Sequence, residues 1–441
     1  MAVTRRVEAL ALLKAAAMCG GAELARALAP EVTLDASRAD EPRVRVRGRA
    51  AVLAELVGWW PGEGTLVDWR EEAWEPGAAV TLERLGEGGH ITRLRLYLRW
   101  AEGLITGIWA YSARPRPGAA ATPTGVPPDV LERVAPGGHR EPLVHGGNSG
   151  AGLDRVVTRD GASLVAKRVV VGGDWIARAT HDPGREALLP YERLPAAVVA
   201  VEPDPDGGWW VICRDLGAEL VPSTGAIDRE DARRMLAAGA ALHAAFATEP
   251  PVAVACTLED RLALHGEGTA RAELGNSDLV PKQLAAGWEG FAETAPPDVA
   301  AAVLAAVEDP APLAERLRAA GPSTLIHGDL RDDNVALTPA GAVLIDWGLA
   351  GWAPPAVELA WFLLHDAWRI DAPREALIDD FAVAEGELHE PAALELGLFT
   401  GLVTYGWLLG HSACIHPDPA ERRWARDEIA WWSQRARRAL A

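Results

Sequence analysis

Lysine is almost missing from this chain. Among 441 residues only Lys14, Lys167 and Lys282 are lysines, and the rest of the basic complement is arginine. The bias looks like that of a GC-rich bacterial genome, so a lysine that persists points to chemistry rather than default usage. Cysteine is scarce as well. Cys19, Cys213, Cys256 and Cys414 are scattered without a C-x-x-C pair, which argues against a zinc site or disulfide framework and fits a reducing cytoplasm. Long uncharged runs are also lacking. The longest, 396–410, is shorter than the ~20 residues that span a bilayer and reads as a buried helix. The first twenty residues mix basic and apolar positions, but Glu8 and the helical spacing suggest an amphipathic helix rather than a signal peptide. Basic residues (43) are outnumbered by acidic ones (62), for a net charge of -19. That argues against nucleic acid or an anionic membrane as partner and leaves room for a cationic ligand.

What is present is organisation. The length implies two or three domains. The Pro-, Ala- and Gly-rich stretch 114–129 reads as a linker, leaving a small domain over 1–113. That domain begins with helical patterns and continues with four strand candidates, the third alternating at Ile91, Leu94, Leu96 and Leu98. Helices followed by an antiparallel meander make an α+β domain. The order, and the ending "GLITGIWAYSARP", resemble the cone-shaped fold of nuclear-transport-factor-like and polyketide-cyclase-like (SnoaL-like) proteins. Asp35, Asp68 and His90 are candidates to line its pocket, with surface or structural roles as the plainer reading. Homodimerisation through this domain is the expectation.

Beyond the linker, strand-like runs over 130–216 give way to helical patterns over 217–441, interrupted by one hairpin, "VALTPAGAVLI". The hairpin starts just after "HGDLRDDN" and ends on "DWG". Asn334 and Asp346 are equally far from Ala340, so a regular pairing would make them face each other at the open end. Asp329 enters the same place from the preceding loop. Two carboxylates and an amide oxygen are hard ligands suited to Mg²⁺, completed by phosphate oxygens and water. The spacing H-x-D-x-x-x-x-N followed by D-x-G is that of phosphoryl transfer, with a base and two metal ligands. Such a site also needs a strand lysine paired with a helix glutamate. "ASLVAKRVV" supplies Lys167 and "GREALL" supplies Glu186. The loop "GGNSGAG" offers Gly146, Gly147, Asn148 and Ser149 as a backbone cradle for phosphates, although it lacks the G-x-G-x-x-G spacing. The strand end from Cys213 to Asp215 is the expected hinge, where backbone groups would meet adenine.

"LIHGDLRDDN", "IDWG", "LVAK", "REALL" and "LHAAF" together resemble the aminoglycoside phosphotransferase and choline kinase-like family. The resemblance covers about 126–441 and implies a two-lobed protein-kinase-like fold, so the whole chain reads as α+β. It implies Asp329 as catalytic base, Asn334 and Asp346 as metal ligands, Lys167 as phosphate clamp, and Mg²⁺ with ATP or GTP as donor. His327 is expected to brace the loop, and Glu358 stands where the family often has Asp. The acids of 360–395 suggest an aminoglycoside-like or other amine-bearing acceptor. Two other readings stay open: a nucleotide-binding pseudokinase, and a cyclase or isomerase acting through the N-terminal domain.

Overall fold

The computed structural model describes residues 21–38, 44–59, 64–74, 77–86, 91–102, 104–113, 125–143, 153–205, 207–222, 225–249, 251–273 and 279–441. They pack as two units. The first comprises described residues within 1–123, 270–283 and 415–423, and the second comprises the remainder.

Six strands build the first unit: β1 (Leu28–Arg38), β2 (Val44–Arg47), β3 (Gly64–Trp74), β4 (Gly77–Gly86), β5 (Ile91–Ala101) and β6 (Leu104–Ala113). Their order is β2-β1-β6-β5-β4-β3. Only the β1–β6 pairing is parallel. Leu96 and Leu98 of β5 are two apart and both buried, as a strand period of two requires. They join Leu34, Ile105 and Ile108 in a core closed by Val52 and Leu56 of the helix Arg49–Trp59. The four-strand meander of the sequence reading is β3–β6, and β1 and β2 extend it. The β2 segment alternates apolar and charged residues as "VRVR", with Arg45 and Arg47 outward. That signal was available, but four residues at a sheet edge make it brief. The side chains of Asp35 and Asp68, and all of His90, lie outside the described residues.

The second unit opens with the helix Pro128–Val134. Val126 and Val130 are buried in the strand lobe beside Val156, Ala166, Trp210 and Ile212. The expected linker therefore ends earlier than 129, because its last apolar residues find a core to enter. Five antiparallel strands follow: β7 (His139–Pro142), β8 (Leu153–Val157), β9 (Ser163–Val169), β10 (Val198–Pro203) and β11 (Trp209–Arg214), in the order β10-β11-β9-β8-β7. The helix expected between β9 and β10 is a single turn, Arg185–Leu188, since Leu189 is extended ahead of Pro190.

From Arg229 the unit is helical, except for two ribbons. One pairs β12 (Thr324–Ile326) with β15 (Gly351–Ala353); the other is the hairpin β13 (Val335–Thr338) and β14 (Gly341–Leu344). The helix Pro391–Ile415 is long and apolar enough to cross a membrane by composition alone. Most of it is buried inside the unit. Its glycines explain how. A Cβ on Gly410 would lie 2.2 Å from the Phe291 backbone nitrogen, and one on Gly287 would lie 2.4 Å from Trp407 O. The helices Leu279–Thr294 and Pro391–Ile415 thus touch backbone to backbone.

Candidate active site

The loop leaving β12 is shaped by one glycine. Gly328 has φ +81°, and a Cβ there would sit 1.9 Å from Leu349 O. No side chain fits. The loop is clamped by Glu358, on the first turn of the helix Ala356–Asp366. Its carboxylate accepts from Gly328 N at 2.6 Å and His327 N at 3.2 Å. His243 Nε2 also approaches Glu358 at 2.9 Å, while His243 Nδ1 is 2.6 Å from Glu385. Both ring nitrogens face carboxylates, so the ring must be an imidazolium to donate to both. Burial alone would push His243 down; the two carboxylates overcome it and raise it to about 9.

This sets a pH dependence. The folded-state value exceeds the ordinary one, so the stabilisation is complete below about pH 6.5 and disappears as pH rises through about 9. Melting temperature should fall across that window. In His243→Gln the slope over the same window should flatten; an unchanged slope would place the titration elsewhere.

His327 braces the loop as expected. Its Nε2 donates to Ile345 O at 3.0 Å, and its Nδ1 accepts from Asp329 N at 3.3 Å. A carbonyl can only accept, so this geometry requires the Nε2–H tautomer.

Asp329 is held at both oxygens. Asn334 Nδ2 donates to Oδ2 at 2.8 Å, and Trp361 Nε1 donates to Oδ1 at 2.7 Å. Arg331 Nε stands 3.3 Å from Oδ1. Burial raises the Asp329 carboxyl above its usual range, opposed by Arg331. Trp361 and Arg331 were absent from the sequence reading.

The expected facing of Asn334 and Asp346 needs correction. Val335 pairs with Leu344 and Thr338 with Gly341, so Pro339 and Ala340 form the turn. Asn334 consequently meets Ile345, whose N–H donates to Asn334 O at 3.0 Å. Asp346 reaches the site because its backbone turns left-handed, at φ +62°. A non-glycine residue in this region is uncommon and is often found where function requires it. Its carboxylate accepts from Lys167 Nζ at 2.6 Å. Lys167 holds it well down, to about 2, against the opposing effect of burial.

Lys167 lies on β9, the third strand of its sheet, and is also 2.6 Å from Glu186. The two carboxylates overcome burial and keep the ammonium charged. Arg185, 1% exposed, fastens this turn to the segment that follows Asp346. Its guanidinium donates to Val254 O, Thr180 O and Gly348 O. Thus Lys167 joins Glu186 to Asp346, Asn334 joins Asp329, and the bond from Ile345 N–H to Asn334 O places Asp346 one residue from that second pair.

The hinge candidates behave differently. Asp215 N already donates to Ser163 O, and its carboxylate accepts from Ser163 Oγ and Arg155 Nε. Asp215 therefore ties β11 to its neighbours, and its N–H is not open to a base. Cys213 lies inside β11, paired to Val165 and Val198. Burial pushes its thiol up to about 12. Gly146, Gly147, Asn148 and Ser149 lie outside the described residues. The residues Asn334 and Asp346 present an amide oxygen and a carboxylate, a donor set suited to Mg²⁺ arriving with its own phosphates.

A strand-lobe Lys–Glu pair joined to one Asp of a helical lobe, with an Asn–Asp pair alongside, defines a protein-kinase-like phosphotransferase. Residues 155–395, more than half of the chain, match the phosphotransferase enzyme family, and the chain belongs to it. Among solved structures it is similar to an aminoglycoside phosphotransferase from Alicyclobacillus acidocaldarius (17% identity, 74% of this chain, 97% of that one, TM-score 0.40). It is also similar to one from Streptomyces rimosus solved with ADP and streptomycin (17% identity, 59% and 94%, TM-score 0.36). A putative ketosteroid isomerase from Kribbella flavida matches in the N-terminal region (22% identity, 28% and 84%, TM-score 0.22). No curated protein matches the chain.

Proposed function

We propose that this phosphotransferase moves the γ-phosphate of a Mg²⁺–nucleotide, ATP or GTP, to a hydroxyl of a small molecule. The observation that carries the reading is the Lys167 ammonium shared by Glu186 and Asp346 across the two lobes, with the Asn334–Asp329 pair set beside it by the bond from Ile345 N–H to Asn334 O. Phosphoryl transfer depends on positioning and charge compensation more than on covalent chemistry. In this reading Lys167 binds the phosphates and is oriented by Glu186. Asn334 and Asp346 would hold Mg²⁺, which supplies charge neutralisation on the phosphate oxygens. Asp329 orients the acceptor hydroxyl and takes its proton. The pseudokinase alternative is disfavoured because no member of this set is missing.

Part of the acidic charge that suggested an amine-bearing acceptor is engaged within the protein. Of the acids in 360–395, Asp380 pairs with Arg229 and Arg233, Glu385 faces His243, and Glu395 meets Arg435 and Arg438. Glu375 accepts from Trp431, and Asp366 is buried. Charges so engaged exert little pull on a ligand, whereas Asp371, Asp379, Glu387 and Glu390 are exposed.

A nucleotide-consumption screen over sugar alcohols, hydroxy acids, amines and aminoglycosides tests the proposal. Mass spectrometry should find one phosphoryl group added to a single acceptor class. A chain whose melting is unmoved by Mg²⁺–ATP and that consumes none would refute it.

A further inference from the structure

Arg261 is a buried guanidinium without a direct ion pair among the described residues. Burial lowers its pKa, and the carboxylates of Glu358 and Asp329 offset only part of that effect. It belongs to the helix Leu258–Ala263 and is 2% exposed. Its Nε and Nη2 have no hydrogen-bond partner, and it forms no ion pair among the described residues. An isolated buried charge is costly to keep. Its position is specific. The guanidinium lies over the Trp361 ring at 5.1 Å, and Trp361 Nε1 donates to Asp329. Trp361 therefore touches both Arg261 and Asp329.

Other unpartnered nitrogens surround the same indole. His265 stacks on Trp361 at 6.4 Å, His365 lies against it at 4.5 Å, and Trp407 lies 5.7 Å from His265. His265 Nδ1, His365 Nε2 and Trp407 Nε1 are buried without partners. Guanidinium and indole nitrogens only donate, and a neutral imidazole nitrogen takes either role. Both imidazoles are neutral. Burial, then Arg261, pushes His265 down to about 3, and burial and then Arg331 lower His365. The Asp366 carboxyl, next in sequence to His365, also has an unpartnered oxygen, and burial raises it well above its usual range.

We propose that this donor-rich cluster receives an oxyanion of the acceptor, so the phosphorylated alcohol also carries a carboxylate or phosphate bound by Arg261. The inference rests on the phosphotransfer reading and opposes a polycationic acceptor. An excess of donors beside a positive charge is matched by oxygen acceptors bearing negative charge.

The test uses the full chain with saturating Mg²⁺–ADP at matched ionic strength. Sulfate, glycerate and glycerol phosphate should raise the melting temperature, and choline should not. Glycerate against glycerol phosphate separates carboxylate from phosphate recognition. Arg261→Met should melt higher than wild type without ligand, because it removes a buried charge that lacks a direct ion pair, and should lose the oxyanion protection. Arg261→Lys should keep part of it. In an ADP-release assay the KM for glycerate or glycerol phosphate should be about 10- to 100-fold below that for glycerol. Protection equal in wild type and Arg261→Met overturns the proposal, as does protection by choline alone. If no oxyanion protects the wild type, the cluster holds water only and the proposal fails. Should Arg261→Met not fold, the wild-type comparison of oxyanions with choline decides. Absence of any Mg²⁺–ADP shift would instead sink the phosphotransfer reading; a normal shift without an oxyanion effect sinks this inference alone.

Discussion

Asp329→Ala is expected to lose turnover by about two to four orders of magnitude, the usual scale for removing general-base assistance. In the proposed reaction this carboxylate meets the acceptor, whereas Lys167, Asn334 and Asp346 serve the donor's phosphates. Nucleotide binding should therefore persist, seen as an unchanged melting shift with Mg²⁺–ATP. The substitution also leaves Trp361 Nε1 and Asn334 Nδ2 without their carboxylate acceptor. Asp329→Asn supplies a control, because its amide oxygen can still accept from one of them while no longer taking a proton. Both variants should be nearly inactive, with Asn the better folded. Wild-type kcat in either would remove Asp329 from its assigned role.

Asp346→Asn should act on the other half of the reaction. Turnover should fall by about 10²- to 10³-fold, as when a single charge-stabilising group is removed. Nucleotide affinity should also drop, and most of its Mg²⁺ dependence should vanish, since an amide is a poorer ligand for a hard cation. The variant loses a second thing. Asp346 shares Lys167 with Glu186, each at 2.6 Å. Without the Asp346 charge, the lysine is oriented from one side only. Lys167→Met should therefore weaken nucleotide binding too, but leave the residual binding Mg²⁺-dependent. Titrations with and without Mg²⁺ distinguish the two. If Asp346→Asn kept the wild-type difference between them, Asp346 would not be a metal ligand.

Much of this site was legible before the fold was known, for local reasons. The interval from Asp329 to Asn334, the hairpin and the Asp-Trp-Gly that ends it all lie in one short stretch of chain. Lys167 stood out because lysine is rare and because its neighbours favour a strand. The run 396–410 was recognisable as a buried helix from its length and apolar content. Spacing and periodicity encode contacts between residues close along the chain, and these features are of that kind.

Other features depend on groups far apart in sequence. Trp361 reaches Asp329 from 32 residues away, and His243 reaches Glu385 from 142. No local pattern marks either pair. The acids of 360–395 looked like a cation-attracting surface because composition counts charges without their partners. Arg229 and Arg233, from a distant helix, neutralise Asp380 only after the helices pack. The register of the hairpin set Asn334 opposite Ile345, and the left-handed backbone at Asp346 then turned its carboxylate toward Lys167. The sequence by itself determined the class of chemistry, since that chemistry needs particular residue types at short spacing. Tertiary structure alone decided which charges remain free, because a charge is neutralised by whatever the rest of the chain packs against it.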